Sequence, residues 1–93
     1  MAHQNLKKES DELIIKTAAE TAKKTAGVAG MAPRGIRIEH TKKGININVF
    51  MIVEYGKKIP EVAWDVQENI MHAVTKITDI TLEKVNINIQ GVE

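Results

Sequence analysis

The chain of 93 residues has no cysteine, which excludes disulfides, thiol catalysis and thiolate metal sites, and fits a reducing cytoplasm. Aromatic residues are scarce as well: one Phe, one Tyr and one Trp are too few for a stacking platform that would hold two or three bases. Charge of one sign is also missing. Thirteen basic against twelve acidic residues leave a formal +1, too little to imply a nucleic-acid or anionic-membrane surface unless a basic patch forms locally. The longest apolar run, Val49 to Val53, is far short of the ~20 residues of a transmembrane helix. Met1 to Lys8 lacks the apolar stretch of a signal peptide. A cytoplasmic protein without direct membrane insertion is expected.

What is present suits one small core. Hydrophobic residues make up 43% and charged residues 27%, ordinary globular usage that argues against disorder. Residues 1–9 are polar and aperiodic and read as a flexible N-terminal arm, leaving residues 10–93 as a single domain. Ser10, followed by Asp11 and Glu12, has the chemistry of a helix start: a hydroxyl for an orphan N–H and carboxylates for the positive dipole end. From there Ile14, Thr17, Ala18, Thr21, Ala22 and Thr25 fall on one side at helical spacing, with Glu12, Lys16, Glu20, Lys23 and Lys24 on the other. Gly27 supplies a left-handed stop.

Beyond Pro33 the period changes to two. Gly35 to His40 alternates, Thr41-Lys42-Lys43-Gly44 offers turn chemistry, and alternation resumes from Ile45 to Tyr55, predicting a β-hairpin. Ile45, Ile47, Val49, Met51 and Val53 are expected to face the core and Asn46 and Asn48 to point away. Phe50 and Ile52 share that outward side and call for a cover. Gly56 breaks the strand and Pro60 suits the first position of a second helix. Its stripe of Val62, Ala63, Val66, Ile70, Ala73, Val74 and Ile77 is greasier than that of the first helix. After Asp79, Val85, Ile87 and Ile89 alternate with Asn86, Asn88 and Gln90 as a third strand. The predicted fold is α+β in the order α-β-β-α-β: a three-stranded mixed sheet, its last strand parallel to the hairpin strand across the second helix, with both helices packed on one face.

Three segments, Ser10-Asp11-Glu12-Leu13-Ile14, Gly27-Val28-Ala29-Gly30-Met31, and Val53-Glu54-Tyr55-Gly56 with Ile59-Pro60-Glu61-Val62-Ala63, resemble in order and spacing the alkaline shock protein family. Val66-Gln67-Glu68-Asn69-Ile70 and the closing Val85-Asn86-Ile87 with Gly91-Val92 extend the resemblance over roughly residues 10 to 92. It implies a small cytoplasmic protein linked to the bacterial cell envelope or its stress response. The chain departs from the family pattern in its short Met31 to Gly35 connection, in Thr25 and Ala26, and in a reduced N-terminal lead-in. The glycines and Pro60 are the residues that such turns require, so they serve as signals of fold.

No chemistry stands out. His3, His40 and His72 are scattered, and Asp65, Glu68 and His72, although on one side of the second helix, read better as a solvated face than as ligands. Nucleophile elbow, P-loop and dinucleotide motifs are absent, so no catalytic, cofactor or metal site is expected and the protein is read as no enzyme. Gly27-Val28-Ala29-Gly30 matches the GxxG of KH domains literally, which keeps a KH-like nucleic-acid module as the alternative. Its flanks, Ala26 and Met31, lack the basic neighbours such a clamp uses.

A binding role remains. The candidate interaction residues are Phe50 and Ile52 on the outward sheet face, and Trp64 with Met71, about two turns apart on the second helix and pointing away from Val66 and Ile77. The expected partners are proteins: a second copy in a homo-oligomer, or a membrane-anchored protein that holds the chain at the membrane periphery. Packing of Trp64 and Met71 against the first helix or the arm is the competing reading.

Overall fold

A computed structural model describes the backbone of residues 2–93 and the side chains of residues 10–93. Its elements are α1 (Ala2–Lys24), β1 (Val28–His40), β2 (Ile45–Val53), α2 (Ile59–Thr75) and β3 (Leu82–Val92). The order is α-β-β-α-β, and the fold is α+β. β2 is central, antiparallel to β1 and parallel to β3. α1 lies over β1, α2 lies over β3, and the two helices pack side by side on one face of the sheet.

Local chemistry accounts for most of these boundaries. Pro60 sits in the first turn of α2, where a missing N–H costs nothing, and the Val62 amide donates to the Lys58 carbonyl at 3.1 Å. Thr41 builds the hairpin turn: its hydroxyl accepts from the Lys43 and Gly44 amides at 3.2 and 3.1 Å. Gly27 joins α1 to β1 at φ +93°, and a Cβ there would lie 2.5 Å from Cγ2 of Val62. Glycine thus serves both the left-handed backbone and the close approach of α2.

The core lies between helices and sheet. Ile14, Ala18 and Ala22 of α1 and Val62, Val66, Ile70 and Val74 of α2 meet Ile36, Ile45, Ile47, Val49, Met51, Val53 and Val85. Each buried Val or Ile contributes roughly 1.5–3 kcal/mol of gross transfer free energy, so the α2 stripe outweighs the alanine stripe of α1. The small α1 residues instead bring that helix close to its neighbours. Where the helices adjoin, Asn69 Nδ2 donates to Thr25 Oγ1 at 3.1 Å, and that hydroxyl donates to the Thr21 carbonyl at 2.9 Å.

Four boundaries differ from the sequence expectation. α1 runs from Ala2, so Ser10 lies inside the helix; Gln4, Leu6, Lys7, Lys8 and Glu9 are good helix formers, and no breaker separates them from the Ser10 turn. The expected flexibility of the 1–9 arm falls outside the side chains described. β1 begins at Val28, running through Pro33, which lies in an irregular stretch where an edge strand tolerates a missing donor. β2 ends at Val53, leaving Glu54 and Tyr55 outside it. Ile77, assigned to the α2 stripe, follows the helix C-cap Lys76 and is 39% exposed, because the chain has left helical geometry before reaching it.

Candidate protein-interaction surface

Strand register arranges the open side of the sheet in rows. Arg37, Asn48 and Asn86 lie abreast; so do Glu39, Asn46 and Lys84. Asparagine amides stitch the strands together. Asn86 Nδ2 donates to Asn48 Oδ1 at 3.0 Å, Asn46 Nδ2 to Glu39 Oε1 at 3.2 Å, and Asn88 Nδ2 to the Val49 carbonyl at 3.3 Å.

Phe50 stands in the next row beside Asn88, but it is not an open surface. The residue is only 9% exposed, and the Arg34 guanidinium carbon lies 4.3 Å from the ring centroid. The cover comes from β1, whose pairing with β2 is interrupted between Met31 and Ile36. That irregular segment carries Arg34, and Ala32 in the same segment is also buried. Part of the apolar outward face is therefore closed by the chain itself. Ile52 remains half-buried, in a row with Gly30 and Gly91, beside neither of which a Cβ would meet anything.

Trp64 and Met71 lie on the other side of the sheet, so the two candidate pairs form separate surfaces. Trp64 is 60% exposed and Met71 half-buried. Asn69, which contacts Thr25 just past the end of α1, marks the side of α2 that faces that helix. At about 100° per residue, Trp64 and Met71 lie about 140° and 160° around the helix from Asn69. Both therefore point away from α1, on the helix that lies over β3. Leu13, Tyr55 and Val92 are further exposed apolar residues that periodicity did not single out. For Leu13 the signal was its place on the charged side of α1, three, seven and eleven residues before Lys16, Glu20 and Lys24; Tyr55 and Val92 sit at strand ends, where alternation stops being informative.

Among the described residues, one histidine meets a carboxylate. His40 Nε2 lies 2.9 Å from Asp11 Oδ2 and ties the end of β1 to α1, while Asp65 and His72 are exposed on α2. Among the described residues no three His, Cys, Asp or Glu side chains gather as metal ligands. A shallow open depression of about 490 Å³ is lined by Thr41, Lys42, Lys43, Glu83 and Lys84. Lys57 and Lys58 lie beyond the opposite end of β2, so the lysine pairs do not line one groove. The Gly27 to Gly30 tetrapeptide runs from the end of α1 into β1, not between two helices. Among the described residues, no helix is long and apolar enough to cross a membrane.

These features define a small α+β domain with exposed apolar residues on both helices and at the strand ends, and with an asparagine-laced open sheet face. The chain belongs to the alkaline shock protein 23 family, whose function is cell envelope-related; the family match covers residues 32–93. Among its relatives, YloU of Bacillus subtilis (strain 168) is 31% identical over 89% of this chain and 84% of its own length. YqhY of the same organism is 35% identical over 64% of this chain, which spans only 44% of YqhY. Spy1614 of Streptococcus pyogenes serotype M6 is 26% identical, covering 90% of this chain and 84% of the relative. In fold, the chain is similar to the C-terminal domain of MamM, with TM-score 0.61 and 18% identity over 88% of this chain and 96% of that domain.

Proposed function

We propose that the protein is a non-enzymatic component of cell-envelope homeostasis or the envelope stress response, acting in the cytoplasm by protein–protein association. Through α2 it docks a membrane-anchored protein or another copy of itself. The observation that carries this reading is Trp64, 60% exposed on the side of α2 turned away from α1. Tryptophan and methionine are enriched at interface centres, where they supply large apolar area.

The test is crosslinking in cells at native expression, comparing the parent with Trp64→Ala/Met71→Ala after circular dichroism has verified folding. The parent is expected to recover a membrane-anchored protein, or itself, in a Trp64-dependent way. Recovery of RNA or ribosomal material with both proteins would overturn this reading in favour of the KH-like alternative. Equal recovery of the same protein partner by both would remove α2 from the interface.

A further inference from the structure

The two outer edges of the sheet differ in kind. β1 carries Pro33, Arg34, Arg37 and Glu39 and breaks register with β2 twice. Proline, charge and bulges are the devices by which edge strands avoid pairing. β3 has none of them from Val85 to Ile89; to either side it carries Glu83 and Lys84, and its register with β2 shifts around Glu83 and around Gln90. Its outer backbone groups have no strand partner among the described residues.

β3 is also self-complementary. Val85-Asn86-Ile87-Asn88-Ile89 reads nearly the same in both directions about Ile87. Val85, Ile87 and Ile89 lie on the helix side, packed in or against the core, and Asn86 and Asn88 lie on the other. An antiparallel copy centred on Ile87 sets Val85 opposite Ile89, Ile87 opposite Ile87, and each Asn86 opposite Asn88. Apolar thus meets apolar on the helix side, and amide meets amide on the open side. A shift by one residue would place asparagines opposite isoleucines on the wrong faces.

From this we propose that the chain pairs with a second copy of itself along β3, forming a continuous six-stranded sheet with a twofold axis at Ile87. The inference rests on the association reading above and names its partner. It also gives Trp64 and Met71 a place: α2 lies over β3, so its flank turned away from α1 is then on the side of the twofold-related α2. Such an isologous contact closes at two copies.

The experiment is sedimentation of the parent and two variants whose side chains face the open side. Asn86→Asp/Asn88→Asp puts like charges opposite each other twice across the axis, whereas Asn86→Lys/Asn88→Asp puts opposite charges there twice. The parent is expected to be dimeric, the first variant at least tenfold weaker in association, and the second to remain dimeric. Because the chain has no cysteine, a mixture of Asn86→Cys and Asn88→Cys proteins should form an oxidised crosslink between unlike partners, independently of the charge variants. A monomeric parent, a dimer indifferent to both charge variants, or no unlike crosslink would overturn the β3 pairing. A monomeric parent that still captures a membrane-anchored protein through Trp64 would leave the association reading standing.

Discussion

Replacing Gly27 by alanine adds one methyl group where the backbone is left-handed and α2 is closest. The φ of +93° costs an L-residue roughly 1–2 kcal/mol. A Cβ would sit 2.5 Å from Cγ2 of Val62, well inside van der Waals contact. Val62 is 5% exposed and part of the core, so its side chain has little room to withdraw, and overpacking of this kind costs about 1–3 kcal/mol. Gly27→Ala is therefore expected to lose about 2–5 kcal/mol in urea unfolding, as a lower midpoint at unchanged slope. The reasoning has a second, sharper consequence. Val62→Ala alone should destabilise by creating a cavity, but combined with Gly27→Ala it removes the clash. The double variant should be more stable than the sum of the single losses predicts, by about 1–2 kcal/mol. Strict additivity, or a Gly27→Ala cost below about 0.5 kcal/mol, a typical limit for harmless surface changes, would refute the packing account.

Other perturbations separate core from surface. Ile70→Ala, at a fully buried site, should cost about 2–5 kcal/mol by thermal unfolding, whereas Ile77→Ala, beyond the helix end, should cost less than about 1 kcal/mol. Arg34→Ala should uncover Phe50 and lower stability by about 0.5–1 kcal/mol, with increased binding of an apolar dye; unchanged dye binding would mean that Ala32 and the strand backbone suffice as cover. Protein purified without added metal should contain no stoichiometric divalent ion by elemental analysis, and Glu68→Ala or His72→Ala should not change that. A bound ion lost in either variant would restore the ligand reading of Asp65, Glu68 and His72.

The residues that carry the resemblance are mainly those that make turns and the α2 stripe, which is why family and fold were legible together. Gly27, Gly56 and Pro60 occupy junctions whose geometry only a few residue types accept. Val62, Val66, Ile70 and Val74 announce their common face through spacing alone and are all buried. The candidate surface was less legible. Trp64 could be assigned to the side opposite the core stripe, but its position relative to α1 became clear only through the contact between Asn69 and Thr25, residues 44 positions apart.

By itself, then, the sequence determined the element order, the faces of β2 and β3 that enter the core, and the glycines on which the chain turns. Each of these follows from periodicity and local backbone preference over a few residues. Only the tertiary structure decided that Phe50 is sheltered by Arg34, that Ile77 lies outside the helical stripe, and that Trp64 points away from α1 on the helix that lies over β3. Those outcomes depend on an interruption in strand register, on where a helix ends, and on how two helices sit side by side over the sheet. Such contacts between distant segments leave no period in the chain.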